Sequence, residues 1–84
     1  GMTDKGFGLA PNPAQERVQL DLFFAEGAVQ VEVLDLTGRT VLSTEFPEGR
    51  AAVALDLAAL GNGSYLVRAS QNGQTAMQRL LIAR

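Results

Sequence analysis

GSYLVRASQNGQTAMQRLLIAR, residues 63–84, reads as two β-strands joined by a tight turn. Asn72-Gly73 is the strongest short-range hairpin signal, because both central residues of the favoured turn take a positive φ. A two-residue loop there sets Gln71 opposite Gln74, and counting outward pairs Ala69 with Ala76, Val67 with Gln78 and Tyr65 with Leu80. Side chains alternate across a strand, so these pairs share one largely apolar face, with Gln78 a misfit near its middle. Ser64, Leu66, Arg68, Met77, Arg79 and Leu81 fall on the other face. Two arginines among three sizeable apolar side chains read first as half-solvated sheet, the arginine stems lying over the leucines. The second reading is a docking surface that combines apolar contact with positive charge.

The same period of two recurs upstream. Val18, Leu20, Leu22 and Phe24 alternate with Arg17, Gln19, Asp21 and Phe23, while Val29, Val31 and Val33 alternate with Gln30, Glu32 and Leu34. Ala25-Glu26-Gly27 connects the two runs. Asp35-Leu36-Thr37-Gly38 makes the next turn, aspartate favouring its first position and glycine supplying the positive φ that closes a bulged hairpin. A strand from about Arg39 to Phe46 follows; Val41 and Leu42 have opposite parity and leave its inward face open. Pro47-Glu48-Gly49 ends it. Val53, Leu55 and Leu57 form a further alternating run, and Asp56–Leu60 reads as one helical turn cut short by Gly61 and Gly63. Six or seven short strands separated by turns predict an all-β fold, an immunoglobulin-like antiparallel β-sandwich, with a small barrel as the alternative. Without tryptophan or a cysteine pair, an antibody-type domain is not indicated.

Composition narrows the function. The 84 residues make one domain, and 46% hydrophobic content is that of a folded chain. Seven basic against nine acidic residues give a net charge of -2, with the cations scattered, which argues against tracking a phosphate backbone. Lacking cysteine, the chain has neither a disulfide framework nor a thiolate metal site. Lacking histidine too, acid–base chemistry would fall to carboxylates, lysine or tyrosine, and Asp21, Glu32, Asp35 and Glu45 show no spacing that demands an active site. Calcium binding through Asp35 or Asp56 lacks the EF-hand run of oxygen ligands, and the glycines match no phosphate-cradling loop. No catalytic residue, metal or cofactor is expected. No apolar run is long enough to cross a bilayer, and the start lacks a signal peptide, so an export signal would lie outside this sequence. Gly1-Met2 reads as a remnant of tag removal before either a native start or a cloning boundary. Residues 1–8 are accordingly read as remnant and linker, and 9–84 as the domain.

Four elements then stand in order: Pro11-Asn12-Pro13 ahead of a strand, VEVLDLTGRTVLS at 31–43, LAALGNGSYLVRA at 57–69 and MQRLLIAR at 77–84. Together they resemble the C-terminal sorting domain of proteins exported by the type IX, or Por, secretion system, from about Leu9 to Arg84. The resemblance implies an immunoglobulin-like sandwich that labels an attached cargo protein for passage through the periplasm to the outer-membrane surface or the medium. It implies as partners the outer-membrane translocon, a sortase-like peptidase that removes the domain, and a cargo domain on its N-terminal side. Residue by residue it implies sorting-motif roles for Pro11, Asn12 and Pro13, for Asp35, Gly38 and Val41, for Gly63 and Tyr65, and for the basic-apolar strand carrying Arg79, Leu80, Ile82 and Arg84. Two departures stand out: Gln78-Arg79 replaces the lysine that family members often carry there, and no cargo is visible ahead of the domain in this sequence.

Each element also has a purely structural reading. The prolines hold the incoming chain extended and discourage edge pairing. Asp35 and Gly38 serve turn geometry, Gly63 relieves backbone crowding, and Tyr65 packs its ring in the core with the hydroxyl at the rim. Arg79 and Arg84 lie on or near the solvent side. The rival function is a stand-alone adhesive or carbohydrate-binding module, for which Phe23 is the one plausible exposed ring.

Overall fold

A computed structural model describes residues 7–22, 27–47, 52–71 and 73–84. Their strands are β1 (Phe7–Ala10), β2 (Arg17–Leu22), β3 (Val29–Leu34), β4 (Thr40–Phe46), β5 (Ala52–Asp56), β6 (Gly63–Gln71) and β7 (Gln74–Ile82). They form two antiparallel sheets, one ordered β1-β2-β5 and the other β4-β3-β6-β7. In immunoglobulin lettering these are A-B-E and C′-C-F-G, the layout of an immunoglobulin-like sandwich. Of the segments read above, Phe23, Phe24, Ala25, Glu26, Glu48, Gly49 and Asn72 lie outside the described residues.

The alternating runs supply the core. Val18, Leu20, Val53, Leu55 and Leu57 project from one side; Val29, Val31, Val33, Val67, Ala69, Leu80 and Ile82 meet them from the other. Full burial of one large aliphatic side chain favours folding by about 1.5–3 kcal/mol, so these two faces hold the sheets together. Phe7 joins them at 1% exposure. Its strand, β1, begins before the domain boundary expected at Leu9; a short run interrupted by Gly8 offers no period to read.

The last hairpin keeps the register counted from its turn: Tyr65 faces Leu80, Val67 faces Gln78, Ala69 faces Ala76 and Gln71 faces Gln74. Gln78, the polar residue on the apolar face, is exposed on the edge strand, and its Nε2 donates to the carbonyl of Phe7. It therefore satisfies a backbone acceptor of the opposite sheet. The ambiguity at Val41 and Leu42 resolves through a bulge: Val33 pairs with Leu42 while Leu34 pairs with Thr40, which makes Val41 the extra residue. A bulge re-aims neighbouring side chains, and both Val41 and Leu42 pack partly buried against the core.

The helical turn expected at Asp56–Leu60 is instead a single reverse turn. Leu60 N–H donates to the Leu57 carbonyl at 2.9 Å, and the Asp56 carboxylate accepts from Ala58 N–H at 2.9 Å. An aspartate bonded to its own turn competes with helix, and Gly61 follows at once.

Candidate functional site

Strand register gathers the four sequence elements at one end of the sandwich. Gly63, the first residue of β6, faces Ile82, the last of β7. Leu34, the last residue of β3, faces Leu66. The Asp35–Gly38 turn thus leaves the sheet at the end where β6 begins and β7 finishes.

Pro11–Pro13 reaches the same end by running beside β7. Asn12 Nδ2 donates to the Arg79 carbonyl at 3.0 Å, and Asn12 Oδ1 accepts from Leu81 N–H at 3.1 Å. Ala14 continues the contact as a one-residue parallel bridge: its N–H donates to Leu81 O and its carbonyl accepts from Ala83 N–H, both at 2.8 Å. Pro11 and Pro13 have no N–H to offer a ladder, so the asparagine side chain stands in for strand backbone between them. The prolines do not keep the chain off the edge; they frame the residue that binds it. Pro11, Asn12 and Pro13 are exposed, whereas Ala14 is fully buried.

Tyr65, Gly63 and Arg84 together hold the corner between β5 and β6. Tyr65 Oη donates to the Gly61 carbonyl at 2.7 Å, while its ring packs partly buried against the core. This is the corner tyrosine of immunoglobulin-like domains, bonded to backbone a few residues upstream. Gly63 has φ +149, and a Cβ placed there would meet nothing nearer than Tyr65 Cε1 at 3.9 Å. Its requirement is therefore the backbone conformation and not the crowding expected from sequence. Arg84 supplies the third support: Nη1 donates to Leu60 O at 2.6 Å, Nη2 to Leu57 O at 2.7 Å, and its N–H to Asn62 Oδ1 at 3.0 Å. Arg84 is exposed, as expected, yet its guanidinium also bonds back to carbonyls of the turn, which lack strand partners. Leu57 N–H also donates to Glu16 O at 2.8 Å, tying the corner to the lead into β2.

The central turn is organised around one carboxylate. Asp35 Oδ1 accepts from Thr37 Oγ1 at 2.6 Å, Thr37 N–H at 2.9 Å and Arg39 N–H at 3.0 Å. The Thr37 hydroxyl first, and the Arg39 amide next, hold the Asp35 carboxyl below its ordinary range. Gly38 has φ +92, the positive value its turn requires. The same turn lifts Leu36 into solvent, 68% exposed.

The terminal strand divides by parity. Leu80 and Ile82 are buried at 0% and 1%, so in the folded domain nothing outside touches them. Met77 and Leu81, 48% and 40% exposed, flank Arg79 on the outer face. There Arg68 Nε donates to Glu32 Oε1 at 2.8 Å, whereas Arg79 has no carboxylate partner among the described residues. Among the described residues no three carboxylates converge. What the pole offers is a folded surface of exposed Pro11, Asn12, Pro13, Leu36, Gly38, Arg79 and Leu81 over a hydrogen-bonded frame. Sequence reasoning missed Ala14, Gly61 and Asn62 in that frame. Asn62 between two glycines signals a turn, but an alanine carries no mark of a strand bridge made through its backbone.

Comparison with curated proteins finds no match. The model for the secretion system C-terminal sorting domain matches residues 9–83, nearly the whole chain, and takes in all four elements of the pole up to Ala83. The chain belongs to the family of C-terminal sorting domains of the type IX, or Por, secretion system.

Proposed function

We propose that this domain is a non-catalytic address, read as a folded surface by the outer-membrane translocon of the type IX system, that carries a cargo joined on its N-terminal side to the cell surface or the medium. A sortase-like peptidase then separates domain from cargo. The observation that carries the reading is the bonding of Asn12 and Ala14 to Arg79, Leu81 and Ala83. Elements at opposite ends of the sequence become one surface, together with the Gly63–Tyr65 corner that Arg84 braces. A receptor that engages this surface tests whether the whole domain has folded. On this reading Leu80 and Ile82 act by holding the strand in place, and Pro11, Asn12, Pro13, Gly38 and Arg79 are the groups within a receptor's reach.

The test is a fusion of the full chain behind a periplasmic export signal and a reporter, expressed in a bacterium with the type IX system. The reporter reaches the surface or medium in that strain and stays in the periplasm when the system is disabled. Surface delivery that persists without the system, or that needs no sorting domain, removes the reading.

A further inference from the structure

We infer that the outer edge of β7 between Thr75 and Arg79 is a docking site for an extended strand of the receptor, and that this strand carries a carboxylate beside Arg79 and an apolar side chain two positions away beside Met77. The identification of the partner as export machinery rests on the function proposed above; the binding chemistry does not.

Backbone polarity comes first. Alternate residues of an antiparallel edge strand turn both N–H and C=O away from their neighbour. The outward bonds of Leu81 and Ala83 to residues 12 and 14 identify the odd-numbered residues of β7 as the outward set. Asn12 closes the edge at the Arg79 carbonyl. From Arg79 N–H back through Met77 to Thr75, the outward groups have no partner among the described residues. An incoming strand can use these groups, and Asn12 stops it at a fixed register.

Three other edges compete less well: β1, on the edge of the opposite sheet, has only the four residues Phe7–Ala10 before Pro11. The β4 edge is interrupted by the bulge at Val41, a device that spoils strand addition, and Pro47 follows it. The β5 edge is shorter, Ala52–Asp56, and carries alanine and aspartate on its exposed positions. Side chains then specify the occupant. On the outer face of β7, Thr75, Met77, Arg79 and Leu81 lie in a row, with Leu66 directly across from Arg79. Arg68 is neutralised by Glu32, so among the described residues the cation of this face left without a carboxylate is Arg79, while the exposed Glu45 lies at the far side of the sheet on β4. A strand added to the edge aligns its own alternate side chains with that row, which calls for an acid at Arg79 and an apolar residue at Met77. Backbone bonding supplies affinity and the side-chain row supplies choice, as in other strand-addition complexes.

Amide chemical shifts of the full chain, titrated at low ionic strength, test this with two nine-residue peptides. One alternates valine and threonine with glutamate replacing the central valine; the other carries lysine there. Shifts should concentrate at Thr75, Met77 and Arg79, and the glutamate peptide should bind roughly thirtyfold more tightly than the lysine peptide, the weight in water of one close attractive pair gained and one close repulsive pair avoided. Arg79→Glu should invert the preference and Arg79→Lys should keep it. Shifts confined to β4 or β5, absence of binding at millimolar peptide, or equal affinity for both peptides would overturn the site. In the reporter fusion, Arg79→Glu should lower export at least severalfold while the melting temperature holds; export equal to the parent overturns the edge as the surface read. A parent fusion that ignores the secretion system sinks the sorting role instead, and leaves the peptide titration to judge the edge alone.

Discussion

Arg79 and Arg84 stand five positions apart at the end of one chain, and the regions around them work in opposite ways. Around Arg84 the polar groups are used up: its guanidinium and N–H reach Leu57, Leu60 and Asn62 at 2.6 to 3.0 Å, beside the Tyr65–Gly61 bond. Around Arg79 the side-chain charge meets no carboxylate among the described residues, and exposed Met77 and Leu81 flank it. A cation that satisfies its own fold is hidden from a partner by competition, even where solvent touches it. A cation left over on an apolar face is what a partner can bind. The two arginines read alike in sequence; their neighbours separate them.

The largest effect breaks both regions at once. Leu80 is fully buried opposite Tyr65, directly between the corner and the outer face. Leu80→Ala should cost about 2–5 kcal/mol in urea unfolding, the range for leucine truncation in a core. Export should fail with the fold; a loss under about 1 kcal/mol would show that the strand can repack.

Next come the glycines of the two turns at this pole. Gly63→Ala forces a side chain into φ +149, at a cost of about 1–3 kcal/mol. Gly38→Ala should fall in the same range but lower, because φ +92 lies nearer the left-handed helical region that other residues visit. The melting temperatures of the two variants rank them, and a harmless Gly63→Ala would return that residue to a packing role.

The direct test of the comparison is a pair of neutralisations. Arg84→Gln removes two charge-assisted bonds from a partly exposed site and should cost about 1–2 kcal/mol. Arg79→Gln should change stability by less than about 0.5 kcal/mol, as surface substitutions do. Equal melting temperatures for the two variants would erase the distinction drawn between the regions.

The smallest effect is in acid. Bonding to Thr37 and Arg39 lowers the folded-state pKa of Asp35 below its unfolded value, so its contribution is complete above the ordinary carboxylate range. It is lost as pH falls from that range through the lowered folded value. Asp35→Asn should therefore narrow its stability deficit against the parent as acid is added. A deficit that stays constant with pH would mean that the carboxylate's charge plays no part.

How much of this was legible depends on where the cause of each feature lies. The hairpin register followed from Asn72-Gly73 and the period of its strands, because a turn of known length fixes every pair outward from it. The Asp35–Gly38 turn was legible for the same reason: carboxylate, hydroxyl and glycine act on each other within four residues. Gly63 stands out in the sequence, but crowding and a positive φ both select glycine, and only the backbone angle of +149 separates them. Phe7 escaped because β1 is a short run with a glycine inside it. The Val41 bulge showed only as a parity conflict, and the pairing of β4 with β3 decided it.

The sequence by itself determined the alternation of inward and outward residues, the turns, the all-β class and, through four elements in order, the family. These are local matters, fixed by side-chain period and by the conformations that asparagine, aspartate and glycine allow. The tertiary structure alone decided that Asn12 binds Arg79 and Leu81 across 67 and 69 positions, that Arg84 braces the corner at Leu57 and Leu60, and that Arg79 has no carboxylate partner among the described residues. The physical reason is that a hydrogen bond needs both partners within about 3 Å and in line. For residues so far apart along the chain, the packing of two sheets sets that distance.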